Sequence, residues 1–197
     1  SEYQGEIDWA SIEGQGIRFA LIKATEGSSY IDPFFQSNWE AIAATGMVGG
    51  AYHFFSFESS GETQAESFIA AVAGRAGMLP PVVDIELYGR YRNDPPDPKQ
   101  VRAELKEMLD RLEEHYGAKP ILYATQQSFS RYLSGYFPDD PIWIRDIYFV
   151  PRPPGRDWTF WQYTDKGKLD GYRGPEKYID INVFRGDEEE LLEMCIE

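Results

Sequence analysis

The chain has 197 residues, 42% of them hydrophobic and 26% charged, enough for one sizeable core and rather few for two. Its formal charge of −14, from 33 acidic against 19 basic residues, repels phosphate backbones and offers no polybasic anchor, so nucleic acid and anionic membrane surfaces are excluded as partners. No apolar run approaches the roughly 20 residues that span a bilayer, and the single cysteine, Cys195, precludes an internal disulfide.

The chain then alternates strand-like and helix-like segments. Arg18 to Thr25 is a short apolar run of the kind buried on both faces of a sheet. Asp32-Pro33 is expected to open a helix, with Asp as N-cap and Pro at the first position, and Gly46 to end it. Val48 to Phe55 is the next strand and Glu62 to Ala73 the next helix. Pro80 to Glu86 reads as a strand that ends in acid, and the Tyr-, Arg-, Asp- and Pro-rich stretch 87–98 as a loop. Between Lys99 and Tyr116, Val101, Leu105, Met108, Leu109 and Leu112 line one helical face, with Gly117 as the stop. Lys119 to Thr125 is a strand, followed by a short helix over 129–133. Three further strands, 141–147, 158–164 and 178–184, are joined by Pro/Gly-rich links too short for full helices. The acids Asp187 to Glu190 favour a final helix N-terminus, and Cys195 reads as a small buried hydrophobe. This βαβα order predicts a single-domain α/β fold over 1–197 with a parallel sheet, closed as a TIM-like barrel. Seven strands are legible where such a barrel needs eight.

Functional groups of a parallel barrel project from the C-terminal strand ends. Asp84 and Glu86 end such a strand, and their i, i+2 spacing turns both to the same face, with Ile85 opposite. Two crowded carboxylates resist joint ionisation, so at least one pKa rises. That is what glycoside hydrolysis needs: an acid still protonated near neutral pH that can donate to a leaving oxygen. Neutralisation of the pair by Arg90 or Arg92 is the plainer alternative. On other strand ends Tyr52 and Phe54 share a face, with His53 opposite as a packing residue. Tyr123 and Thr125, Trp143 and Arg145, Trp161 and Tyr163 (with Gln162 opposite), and Asp180 and Asn182 form further pairs. Aromatic residues, 15% of the chain, stack well on sugar rings but equally suit a strand-rich core. The two histidines lack metal-ligand spacing, and no phosphate-cradling glycine motif or nucleophile elbow occurs, so neither metal nor cofactor is expected.

Several stretches in order along the chain resemble glycoside hydrolase family 25, the Chalaropsis-type lysozymes. They are Tyr-Gln-Gly-Glu-Ile-Asp-Trp (3–9), Phe-Ala-Leu-Ile-Lys-Ala-Thr-Glu-Gly (19–27), Asp-Pro-Phe-Phe (32–35), Gly-Ala-Tyr-His-Phe-Phe (50–55) and Gln-Ala-Glu-Ser-Phe (64–68). Pro-Val-Val-Asp-Ile-Glu (81–86), Lys-Pro-Ile-Leu-Tyr (119–123), Trp-Thr-Phe-Trp-Gln-Tyr-Thr (158–164) and Ile-Asp-Ile-Asn-Val-Phe (179–184) complete them.

The resemblance implies a modified barrel, with helices between early strands and few between late ones, and cleavage of the β-1,4 bond between N-acetylmuramic acid and N-acetylglucosamine. It implies Glu86 as proton donor, Asp84 and Asp180 as acidic partners, and Tyr52, Tyr123, Trp143, Gln162 and Tyr163 around the sugar subsites. It leaves open whether Asp84 attacks carbon or orients the substrate's acetamide. Peptidoglycan glycan strands are the implied partner, for a monomer that is secreted or held in the cell envelope. The family pattern Gly-x-Asp-Val-Ser, whose Asp belongs to the acidic site, would meet this chain at Ser1, so the first strand is expected to lie outside it. Trp143-Ile-Arg-Asp departs from a common Ala after Trp-Ile and turns Arg145 toward the mouth, to pair with a carboxylate of the protein or of the substrate. A peptidoglycan-binding barrel without turnover and a chitinase-type N-acetylhexosamine hydrolase are the competing readings.

Overall fold

A computed structural model describes all residues 1–197. Each expected strand is present within a few residues of its boundaries: β1 (Phe19–Glu26), β3 (Val48–Phe54), β4 (Val82–Ile85), β5 (Ile121–Thr125), β6 (Ile142–Arg145), β7 (Phe160–Gly167) and β8 (Ile179–Phe184). An eighth, β2 (Tyr30–Ile31), is a two-residue strand folded back on β1. The sheet order is β2-β1-β3-β4-β5-β6-β7-β8, so β1 and β8 do not pair.

The TIM-like α/β architecture, with helices between the early strands and none between the last three, is as expected, and two details differ. The sheet is curled but open, not closed into a barrel. It is also not wholly parallel, because β7 and β8 are antiparallel, as are β1 and β2. The physical reason lies in the links. A parallel crossover needs about a dozen or more residues, usually with a helix, whereas the short link 168–178 carries no helix and permits antiparallel return. The N-terminal segment covers the resulting side: Asp8 N–H donates to Gly171 O, Gly174 N–H to Gln4 O and Glu176 N–H to Tyr3 O, at 2.6, 2.7 and 3.0 Å.

The helices are α1 (Trp9–Glu13), α2 (Phe35–Ile42), α3 (Gly61–Ala71), α4 (Pro98–Tyr116), α5 (Gln126–Ser128) and α6 (Glu188–Glu193). Clear caps bound α4 and α6. Asp97 accepts from the N–H groups of Lys99 and Gln100 before α4, and Gly117 ends it with φ +71°. Asp187 and Glu190 form a capping box on α6. Residues 129–133 form a π-turn, with Ser134 N–H reaching Phe129 O at 2.9 Å. Helix α2 starts later than the Asp-Pro signal: buried Asp32 accepts from Phe34 N–H and Glu2 N–H, which holds a turn ahead of the helix.

Strand alternation splits the apolar residues into two cores. Ile22, Ala51, Val83, Ile85, Leu122 and Ile144 face outward onto the helices. Val48, Val82, Ile121, Trp143 and Phe160 face inward, joined by Leu79 and by Leu191 of α6. The inner face of β4 therefore rises from Val82 in an apolar floor, through Asp84, to Glu86 at the strand's end.

On the outer side, His53 is fully buried. Gln64 Nε2 donates to Ser56 O and Ser59 O, so its Oε1 must accept, here from Ser56 N–H and His53 Nε2 at 2.7 and 3.0 Å. The Thr25 hydroxyl then donates to His53 Nδ1 at 2.7 Å, which fixes a neutral ring joining β1, β3 and α3. Burial, the main cause, lowers the His53 pKa to about 4. The unfolded chain thus binds this proton more readily, and the stability present at neutral pH is lost as pH falls through the window from about 6.5 to 4. A contribution of about 3.5 kcal/mol should disappear across that window, from 2.5 pH units at about 1.4 kcal/mol each. Denaturant melts of wild type and His53→Gln should show the variant weaker at pH 7 but with a shallower acid decline. Parallel declines would contradict the assignment.

Candidate active site

The inner face of the sheet opens into a cleft of about 890 Å³. Asp84 is at its floor, only 9% exposed, level in the sheet register with Phe54, Tyr123 and Trp143. Glu86 is half-buried, one inward step nearer the mouth. Asp180 comes from β8, opposite β4 across the curl, and is open to solvent. The three acids singled out from sequence thus line one cleft.

Burial is the first cause of the raised Asp84 pKa and lifts it well above the carboxylate range. The Glu86 charge adds to this and Lys23 opposes it. Asp84 Oδ1 is buried without a hydrogen-bond partner, so no donor offsets desolvation on that side. Glu86 is also raised, again first by burial, with the Arg145 and Arg92 charges pulling the other way. Asp180, solvent-accessible but flanked by the cleft walls, is raised first by partial desolvation and then by Asp165 and Glu86, while Arg145 and Gln162 oppose this. Mutual repulsion, the effect legible from the i, i+2 spacing, is therefore secondary to burial.

Around these acids, Tyr123 Oη donates to Gln162 Oε1 at 2.7 Å, and Trp143 Nε1 donates to Asn182 Oδ1 at 2.9 Å. Tyr123 and Trp143 meet edge to face at 4.4 Å. These bonds tie β5 to β7 and β6 to β8 and set the rings' orientation in the cleft wall. Tyr52 completes the near wall; burial first, then Asp84 and Asp180, keep its hydroxyl protonated. Arg145 bonds Asp165 through Nη2 at 2.7 Å, with Asp84 and Glu86 not among its direct partners.

Tyr163 is not brought to the cleft. It stands 41% exposed on the outer face of β7, because alternation that turns Gln162 inward must turn its neighbour outward. Lys23 and Tyr88 are among the cleft-lining residues that the sequence did not single out. Lys23 is buried beside Asp84, donates to Glu26 Oε2 at 2.7 Å and lies over the rings of Tyr30 and Phe54. Its inward position follows from alternation along β1, a signal present in the sequence. Tyr88 packs against Phe54 at 5.3 Å and stacks on Phe57 at 5.6 Å, and its Oη accepts from Phe57 N–H. Its loop carried no periodicity that could have placed it. No three His, Cys, Asp or Glu side chains stand close enough together to hold a metal ion.

The sequence profile of glycosyl hydrolases family 25 matches residues 1–172. The chain belongs to that family. It is a glycoside hydrolase of the lysozyme and muramidase group. The N,O-diacetylmuramidase of a Chalaropsis species is 36% identical over 201 residues, 93% of this chain and 92% of that protein. Lysozyme M1 of Streptomyces globisporus is 31% identical over 212 residues, 99% of this chain and 69% of its own length. Among solved structures, a family 25 glycosyl hydrolase from Bacillus anthracis superposes with a TM-score of 0.93 at 51% identity, covering 98% of this chain and 89% of that one. The chain thus shares its fold with a solved family 25 enzyme.

An acid whose pKa is raised by burial weakens the fold at neutral pH. Its stabilising contribution is complete below the unfolded value and is lost as pH rises through the folded one. Asp84→Asn should therefore raise the melting temperature at pH 7 by roughly 2–4 °C, about 1 kcal/mol, and lose that gain as the medium is acidified. Calorimetry at pH 4 and pH 7 checks this, and a lower melting temperature at pH 7 would contradict the burial argument.

Proposed function

We propose that this family 25 enzyme hydrolyses the β-1,4 bond between N-acetylmuramic acid and N-acetylglucosamine in peptidoglycan, with Glu86 as general acid. The observation that carries the reading is the stacked pair on β4: a buried Asp84 with an orphaned oxygen below a half-buried Glu86 at the cleft mouth. The relatives named N,O-diacetylmuramidase and Lysozyme M1 support the substrate class. Such a substrate places the working enzyme outside the cytoplasm, at the cell wall.

The two raised acids divide the work by depth. In the free enzyme burial favours a neutral Asp84, which is a poor nucleophile. A sugar acetamide entering the cleft brings an N–H group, and donation to the orphaned Asp84 oxygen stabilises the ionised form. Negative charge below Glu86, together with exclusion of water by the substrate, then holds the proton on Glu86. Glu86 hands that proton to the glycosidic oxygen as the C1–O bond breaks. The acetamide carbonyl oxygen, oriented by Asp84, bonds to C1 in its place. Water then attacks C1, releases the carbonyl oxygen and returns a proton to Glu86, so the enzyme ends as it began. Asp180, on the opposite wall, supplies negative charge toward the cationic transition state. Tyr52, Tyr123, Trp143 and Gln162 shape the sugar subsites, and Arg145 presents a cation toward the anionic substituents of muramic acid.

Glu86→Gln keeps size and loses the proton. It should lower kcat/KM on peptidoglycan by about 10²–10⁴-fold with an unchanged melting profile at pH 5. Release of reducing ends from purified wall is the measurement, and full activity in the variant would sink the proton-donor role. Faster cleavage of chitin oligomers than of peptidoglycan would sink the substrate assignment.

A further inference from the structure

Outside the cleft the most unusual surface is the loop joining β6 to β7. Tyr148, Phe149 and Val150 stand 81%, 77% and 56% exposed, three consecutive large apolar side chains outside both cores. The loop is braced at its base by Asp146. Asp146 Oδ1 accepts from the N–H groups of Tyr148 and Phe149 at 3.0 and 2.9 Å, and Oδ2 accepts from Gln126 Nε2 at 3.2 Å. Its own N–H donates to Gln162 O, and its carbonyl accepts from Trp161 Nε1 at 2.8 Å. The return leg contains Pro151, Pro153 and Pro154, whose rings fix φ, and the first two are buried.

This bracing sets the exposed side chains at a defined place. Gln126 follows β5 directly and Gln162 is part of the cleft wall, so the loop rises from the sheet end that carries the carboxylates. On the outer side of β7, Trp161 and Tyr163, together with Trp158 just before the strand and partly packed on the outer core, form an aromatic row with ring centroids 5.9 and 5.8 Å apart. Trp161 joins that row to the loop through its bond to Asp146. No helix intervenes in the chain between β6 and β8 to cover this face. Keeping apolar rings fixed in water is unfavourable in the free protein, and a preorganised apolar surface recovers that free energy on binding.

We infer that the Tyr148–Val150 loop and the outer aromatic row of β7 form a second glycan-binding surface, which holds the insoluble polymer outside the catalytic cleft. The inference rests on the peptidoglycan reading above. The occupant follows from chemistry and continuity. Pyranose rings present flat C–H faces that pack on aromatic faces, and such contacts need no charge, which suits a chain of formal charge −14 meeting an anionic wall. Strands β6 and β7 present Trp143 and Gln162 to the cleft and carry the loop and Trp161 on the other side, so a long glycan leaving the cleft over their ends meets Tyr148 and Phe149. A short soluble substrate would fill the cleft without reaching them.

The test uses the double variant Tyr148→Ser/Phe149→Ser. Co-sedimentation with purified sacculi, measured in the Glu86→Gln background so that the target is not eroded, should weaken about tenfold. Clearing of sacculi by the otherwise wild-type double variant should fall by a similar factor, with kcat/KM on a soluble muropeptide tetrasaccharide unchanged. Unchanged sedimentation would overturn the proposal. So would equal losses on sacculi and tetrasaccharide, or a dimeric wild type that becomes monomeric in the variant, since that makes the loop an interface between copies. If the wild type releases no reducing ends yet sedimentation still depends on Tyr148 and Phe149, the hydrolytic reading fails and the binding surface stands.

Discussion

A carboxyl group held in apolar surroundings at the end of a strand is the constraint around which this molecule is organised. Asp84 sits one inward step above Val82, which belongs to the same apolar floor as Ile121 and Phe160. Water has little access there, and one carboxylate oxygen finds no donor. The fold sustains this because the surrounding strands are fixed by the outer core, where Val83 and Ile85 on the same four-residue strand are fully buried. Alternation thus makes β4 both an anchor and a reactive element, and destabilisation of the acid is held by packing on the opposite face.

Charge around the acids is distributed to temper this effect without cancelling it. Lys23 faces the same cleft but spends its hydrogen bond on Glu26. Arg145 is bonded to Asp165 and acts on Glu86 and Asp180 only through space. A direct ion pair to either β4 acid would have depressed its pKa and removed the proton that glycoside cleavage uses. The neutral hydrogen bonds of Tyr123 and Trp143 do the positioning instead, and each links strands two apart in the sheet order.

The parts of this architecture that depend on local chemistry could be read directly from the chain. Helix α4 has a strong apolar periodicity and a Gly117 stop, and its boundaries were legible to within a residue. The inward placement of Asp84, Tyr123, Trp143 and Asp180 followed from period-two alternation counted from strand ends. Where two signals competed, the local one lost. Asp32-Pro33 reads as a helix start, yet Asp32 is drawn into a turn by Glu2 and Phe34, and α2 waits until Phe35. Tyr163 resembled a subsite residue by its place in a motif, but alternation with the inward Gln162 turned it to the outer surface.

By itself the sequence determined the seven longer strands and the main helices, though not β2 or α1, together with the family and the shared face of Asp84 and Glu86, because each depends on neighbours within a few residues or on a motif read in order. Only the tertiary structure decided that β7 and β8 pair antiparallel, that burial outweighs repulsion in raising the acids, and that Tyr88 joins the cleft. Those outcomes depend on which distant strands meet and how much water remains between them, and neither quantity is written in any short stretch of chain.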